Sequence, residues 1–261
     1  MKNTCFALLL GSVGLLSFAS AEELTKSWSV GSQPELRVEA GDASIELAGA
    51  DTSEIRAKLT TDGYKIGYGG VELIEHQSGN SLYLRVKEPN EHFGWGRHSV
   101  HLELVVPKEL TGEVKTGDGS IRMSNLRGKL RADTGDGGID GVGLGGALDA
   151  HTGDGSMHLE GSFTDLRLRT GDGSIDLRAG AGSKVNMGWE LNSGDGSISV
   201  RLPKELAADL QLRTGDGHIH ANLPITVNDL RNDHEVHGKL NGGGAPIIIH
   251  TGDGSITLDA I

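Results

Sequence analysis

From Glu35 to Pro107 apolar and polar residues alternate in short runs. Leu36 and Val38, Ile45 and Leu47, then Ile55, Ala57 and Leu59 stand two apart with polar or small residues between them. The spacing recurs at Val71-Glu72-Leu73, at Leu82, Leu84 and Val86, and at Val100, Leu102, Leu104 and Val106. Successive side chains of a strand point to opposite faces, so a period of two bounded by Gly, Asp and Asn predicts half-buried strands. No segment carries a convincing helical period. Asn90 to His98 (N-E-H-F-G-W-G-R-H) lacks the alternation and reads as an exposed loop, and Pro107 closes the last strand of this half.

The second half repeats itself. The hexapeptide T-G-D-G-S-I, or a near copy, begins at Thr116, Thr134, Thr152, Thr170, Ser193, Thr214 and Thr251, with three intervals of 18 residues followed by 23, 21 and 37. Ala40-Gly41-Asp42-Ala43-Ser44-Ile45 is a degenerate earlier copy. Two positions before the Thr stand Val114, Ala132, Ala150, Leu168, Leu191, Leu212 and Ile249; five after it stand Ile121, Ile139, Met157, Ile175, Ile198, Ile219 and Ile256. Both columns are apolar. The position just before the Thr is polar throughout: Lys115, Asp133, His151, Arg169, Asn192, Arg213 and His250. Each repeat therefore reads as strand, tight G-D-G turn, strand, with one face in and one out.

Two architectures fit. Successive hairpins would give an antiparallel meander, since D-G is a strong hairpin signal. Stacked repeats would give a β-solenoid with like residues about 4.8 Å apart. The sameness of every column favours the solenoid, because in-register stacking gives each level the same surroundings. The expected fold is an all-β, single-chain β-solenoid of short stacked strands over residues 22–261. Residues 22–110 form a less regular opening and cap section, and residues 111–261 the regular repeats. Gly180 to Gly188, Pro203 to Asp209 and Asn222 to Ala245 are insertions, which in such stacks map to loops on one face, often the binding face.

The first residues change the picture of compartment. Lys2, the apolar run Cys5 to Leu16 and the small residues Ala19-Ser20-Ala21 have the form of a cleaved secretory signal, residues 1–21. The run is too short to span a bilayer. Cys5 is the only cysteine and leaves with that segment, so disulfides, thiol catalysis and cysteine-bound metal are excluded from the mature chain. The expected location is extracytoplasmic: periplasm, cell surface or secreted. The formal charge of -12 disfavours nucleic acid and anionic membrane as partners and suits cationic ones. The expected partner is an envelope or extracellular ligand.

The motif explains itself without a ligand. Its glycines are expected at φ > 0 and its Asp is expected to accept backbone N–H bonds within the turn. The rival reading is a calcium column of Asp118, Asp136, Asp154, Asp172, Asp195, Asp216 and Asp253. Charges about 4.8 Å apart repel by about 0.9 kcal/mol in water, but calcium wants six or more oxygens and one carboxylate per level is sparse. The repeat is also unlike the nine-residue calcium β-roll. His218 and His220 share a strand face, His234 and His237 lie in the long insertion, and His151 and His250 occupy the exposed column. Imidazole binds transition metals, yet these positions vary freely between repeats. There is no nucleophile elbow, phosphate loop or metalloprotease helix motif. No catalytic, cofactor-binding or metal residue is assigned. Trp28, Trp95 and Trp189 read as core or cap residues, with Trp95 the best placed to stack on a sugar.

Three stretches carry a resemblance. They are A-G-D-A-S-I-E-L (Ala40 to Leu47), H-L-E-L-V-V-P-K-E-L (His101 to Leu110) running into V-K-T-G-D-G-S-I, and the closing H-G-K-L-N-G-G-G-A-P-I-I-I-H-T-G-D-G-S-I-T-L (His237 to Leu258). Together they resemble the bacterial candidate-adhesin β-strand-repeat family of unknown function, over nearly the whole mature region. The resemblance implies a β-solenoid-like exported or envelope protein and no catalytic residues. The function expected is non-enzymatic, adhesin-like binding or scaffolding at the cell envelope. The alternatives are a carbohydrate-active enzyme on the same fold and a calcium-stabilised surface protein.

Overall fold

The computed structural model describes residues 21–89, 98–232 and 234–261. The leader expected at the N-terminus and Trp95 with most of its loop lie outside the described residues. Within them the chain is all-β, with twenty-one strands and no helix.

Each repeat contributes a strand before its turn and a strand after it. Before the turns run β2 (Glu35–Glu39), β6 (Ser81–Lys87), β8 (Glu109–Lys115), β10 (Arg127–Thr134), the later halves of β11 (Ile139–Thr152) and β12 (Met157–Thr170), β14 (Trp189–Ser193), β16 (Ala208–Thr214) and β20 (Pro246–Thr251). After them run β3 (Ser44–Ala50), β7 (Ser99–Pro107), β9 (Ile121–Ser124), the earlier halves of β11 and β12, β13 (Ile175–Ala179), β15 (Ile198–Leu202), β17 (Ile219–Asn222) and β21 (Ile256–Ala260). Repeats pair in parallel and in register. Val114, Ala132, Ala150 and Leu168 align across four levels, as do Ile121, Ile139, Met157 and Ile175. Antiparallel pairing of successive hairpins is not what joins them. The corner opposite the turns is a bend inside β11, where the register shifts and Gly143 (φ 68) and Gly146 (φ 97) adopt a left-handed backbone that a side chain would resist.

The order of levels in space departs from the order in sequence at both ends. The level β2/β3 lies between β6/β7 and β8/β9. The last level, β20/β21, lies between β14/β15 and β16/β17. The long insertion makes this possible. It carries β18 (Ile225–Asn232) and β19 (Glu235–Leu240), which fold back antiparallel on β16 and let the chain return one level inward. The other end is closed in the same manner: β5 (Glu72–Ser78) lies antiparallel on β6, and β4 (Glu54–Asp62) on β7 with β1 (Glu22–Ser29) outside it. Antiparallel outer strands stop the parallel stacking from continuing.

The inward columns form one apolar cluster running from Val30 to Leu258. Trp189 and Phe163 are its largest fully buried side chains. Each buried Leu, Ile or Val contributes about 1.5–3 kcal/mol relative to exposure.

The turns hold the levels together through backbone. The first motif glycine donates its amide to the first glycine of the level before: Gly117 to Gly41, Gly135 to Gly117, and so on to Gly252 on Gly194 and Gly215 on Gly252. The buried Thr hydroxyl donates to the carbonyl of the second glycine of that level, at 2.8 Å for Thr134 to Gly119, 2.9 Å for Thr152 to Gly137 and 2.7 Å for Thr251 to Gly196. Thr152 Oγ1 also accepts from Gly155 N at 3.1 Å. Thr152→Val keeps the shape and strands both partners away from water. It is expected to cost about 1–3 kcal/mol in chemical denaturation, while Thr152→Ser, the residue that position 193 already carries, should be near neutral.

Two sequence expectations fail here. None of the motif glycines has a positive φ. They are small because backbones meet: a Cβ on Gly155 would lie 2.0 Å from the Gly137 carbonyl oxygen, and one on Gly173 2.0 Å from that of Gly155. The motif aspartates project outward; the Asp42 carboxylate accepts from the amide of Asp118 in the next level, at 3.4 Å, so this bond links turns instead of closing one.

The column is finished by side chains. Glu88 Oε1 accepts from the amides of Asp42 (2.9 Å) and Ala43 (3.1 Å). In later levels the first of these amides meets a glycine carbonyl, as Asp154 does Gly135, and the second meets the turn's own hydroxyl, as Gly155 does Thr152. At the other end His234 Nδ1 lies 3.0 Å from the Gly217 carbonyl, the place a motif Thr would fill. A carbonyl only accepts, so this bond requires the tautomer with a proton on Nδ1.

Candidate binding face

The outward positions of the before-turn column make a patterned surface. Three residues before each turn Thr, or its equivalent Ala40, the register aligns Arg37, Glu113, Arg131, Asp149, Arg167 and Glu190 on six successive levels. Their signs alternate without interruption. One residue before the Thr, the same levels carry Glu39, Lys115, Asp133, His151, Arg169 and Asn192. Down to the level of Arg131 and Asp133 the two columns form a checkerboard.

Neighbouring squares pair. Arg37 meets Glu39 at 2.7 Å and Glu113 at 3.8 Å; Arg131 meets Asp133 at 2.7 Å and Asp149 at 4.0 Å; Glu190 receives Arg169 at 3.2 Å and Arg167 at 3.5 Å. The arginines are substantially exposed and the carboxylates partly so, and such surface pairs contribute about 0–1 kcal/mol each. Their effect is to order the surface more than to stabilise the fold. Hydrogen bonds from Tyr83 and Arg37 hold the Glu39 carboxyl below the usual carboxylate range. At Glu190 burial works upward, and the hydrogen bonds from Arg169 and Asn192 with the charges of Arg169 and Arg167 outweigh it, so this carboxyl also lies low. Both are anionic at neutral pH.

Along this face runs a groove of about 630 Å³, from Thr111 on β8 to Ile248 on β20. It crosses six levels, roughly 24 Å at the usual strand spacing. Ala147, Leu148 and Leu166 contribute to its apolar lining, and Arg131, Asp149, Arg167 and Glu190 line it with charge. Its far end is apolar: Met187 is 82% exposed and Ile248 37% exposed. Met187 comes from the insertion at Gly180 to Gly188, its amide held by Asp165 Oδ1 at 2.9 Å. An insertion thus supplies part of the face. Trp189 lines the groove from within, buried, with its indole N–H donating to Thr164 O at 3.3 Å.

The other expected positions fall elsewhere. The eight motif aspartates, in spatial order Asp42, Asp118, Asp136, Asp154, Asp172, Asp195, Asp253 and Asp216, form one exposed ridge at the turn corner. Among the described residues no group of three or more His, Cys, Asp or Glu is placed to hold a metal. Millimolar calcium is expected to leave the unfolding midpoint within about 1 °C of its value in chelator; a large chelator-reversible rise would make the ridge a metal site. His218 and His220 lie exposed with near-parallel rings 6.4 Å apart, His237 faces Glu235 at 2.9 Å, and His234 belongs to the turn ladder. Trp28 is half-buried against the core from β1. The charge columns were missed in the sequence. Their signal is the triplets R-V-E, E-V-K, R-A-D and D-A-H ahead of successive turns, visible only when repeats are laid one over another.

Fold and surface together define an all-β repeat protein with an extended, charge-patterned sheet face. The chain belongs to the Toastrack DUF4097 family, which matches residues 34–259. Solved structures similar to it include a candidate cell-adhesion protein of Clostridium sporogenes (13% identity, 93% of this chain and 100% of that one, TM-score 0.46). A candidate adhesin of Bacteroides fragilis is similar at 14% identity (93% and 99%, TM-score 0.46). A candidate lipid-binding protein of Parabacteroides distasonis is similar at 17% identity (90% and 96%, TM-score 0.42). No curated protein matches the chain. Among the described residues no helix is long and apolar enough to cross a membrane.

Proposed function

We propose that this chain is an exported cell-envelope protein that binds, without catalysis, through the grooved face of its before-turn column. In this reading residues 1–21 are removed as a secretory signal and residues 22–261 form one β-solenoid domain that acts in an adhesin-like manner outside the cytoplasm. The observation that carries the reading is the groove itself. It is continuous over six levels, mounted mostly on paired strands, and ends in the exposed apolar side chains Met187 and Ile248. Exposed apolar side chains rimmed by charge are a mark of interaction surfaces.

The test uses the exported mature chain, fluorescently labelled, sedimented with bacterial cell-envelope fractions. Binding is expected, and Met187→Glu with Ile248→Glu should reduce it about tenfold or more, since both positions are exposed and their loss leaves the core intact. No sedimentation, or sedimentation indifferent to these changes, would sink the reading.

A further inference from the structure

We propose that the partner of this face is a second copy of the same chain, docked with its stack antiparallel. The proposal rests on the reading of the grooved face as a binding surface and adds the identity of what it binds.

The argument begins with sign. A ligand lying in the groove meets positive and negative groups in turn, with like signs repeating every two levels, roughly 9.6 Å. A uniformly charged polymer would meet repulsion at every second level. A second copy of the face supplies alternating charges at the same rise. Balance points the same way. The two columns hold Arg37, Arg131, Arg167, Lys115 and Arg169 against Glu113, Asp149, Glu190, Glu39 and Asp133, five charges of each sign, while the chain as a whole carries -12. The eight aspartates of the exposed ridge supply much of that excess at a different corner. This neutral face is therefore a place where two strongly anionic copies can approach.

The geometry fixes the register. Take a two-fold axis parallel to the strands, passing between the levels of β11 and β12, which is the midpoint of the groove. Each column then faces its own copy with the level order reversed. Asp149 faces the partner's Arg167, and Arg131 faces the partner's Glu190. By symmetry each pair occurs twice. Met187 comes opposite the level of the partner's Lys129, whose aliphatic stem can cover it. Moving the axis by half a level, onto β11, sets Asp149 against the partner's Asp149 and Arg131 against the partner's Arg167. In the column three residues before the turns, alternation thus rewards one register and penalises its neighbour, the attractive and repulsive elements that specific interfaces combine.

The test is sedimentation equilibrium of the mature chain, exported from the full-length sequence, from about 1 to 300 μM in 0.15 M salt, where charges are screened beyond about 8 Å. A concentration-dependent dimer is expected, with Kd on the order of tens of micromolar. Arg131→Glu with Arg167→Glu, and separately Asp149→Arg with Glu190→Arg, should each weaken it at least about tenfold. An equimolar mixture of these two variants should form a heterodimer, since the facing pairs among positions 131, 149, 167 and 190 are again opposite in sign. Met187→Lys guards against misfolding of the multiple variants: it changes an 82% exposed residue and sets two lysines opposite each other, again with about a tenfold loss. A wild-type chain monomeric at 300 μM overturns the proposal. So does a mixture of folded reversed variants that stays monomeric, or a dimer indifferent to Met187→Lys. A monomer that still sediments with envelope fractions through the groove overturns only the self-pairing; a dimer of this geometry that binds no envelope fraction overturns only the envelope partner.

Discussion

Gly155→Ala is expected to lower the unfolding midpoint by roughly 10 °C, a loss of about 3–5 kcal/mol for a chain of this size. The added Cβ would lie 2.0 Å from the Gly137 oxygen and 2.5 Å from its carbon, with Thr152 Oγ1 at 2.8 Å. Two of the three obstacles are backbone, so relief requires the levels to part. Parting them weakens the Thr152 bond to Gly137 and the amide ladder together. Gly135→Ala is expected to cost less, about 1–2 kcal/mol, because its Cβ would stand 2.8 Å from Gly117 O and 3.0 Å from an exposed Asp118 carboxylate. Were turn conformation the reason for glycine, the two changes would cost alike. Thermal unfolding of both variants decides, and equal midpoints would refute the close-approach account.

Ending the chain at Ala245 is expected to do far more damage than the loss of its last residues suggests. Those residues form an interior level, paired on both sides by β14 and β16 and by β15 and β17. They bury Ile247, Ile249, Ile256 and Leu258 completely. At about 1.5–3 kcal/mol each these four alone approach the whole net stability of a domain, about 5–15 kcal/mol. The level β16/β17 and the β18–β19 hairpin then have no stack to rest on. Limited proteolysis should trim the truncated chain back to near Leu202. Deleting β1, which among the described strands pairs with β4 alone, should leave the stack intact. A truncated chain that still protects residues 208–240 would show that the terminal level stands by itself.

The levels themselves were legible in the sequence. Leu36 and Val38, or Leu102 and Leu104, alternate with polar residues, and a strand with one buried face has no other way to be written. The columns of Val114 and Ile121 were legible because parallel stacking gives each level the same neighbours. The insertion ending at Gly188 was visible as a change of interval, and it does reach the groove through Met187. The reading failed at the motif glycines, since the sequence shows that a side chain is absent and leaves open whether torsion or proximity excludes it. It failed also at His234, whose role is defined by a carbonyl at Gly217 and by nothing adjacent in the chain.

What the sequence determined by itself was thus the class of fold, the inward and outward faces and the position of every motif turn, because period and turn chemistry are local. The order of the levels was decided only in three dimensions. Each level offers its neighbours nearly the same surface, so repetition cannot say which two will meet; the reach of the 222–245 excursion and the antiparallel outer strands decide that. The ends of the face follow from that order: Arg37 stands beside Glu113, and Ile248 beside Glu190, only because β2 pairs with β8 and β20 with β14.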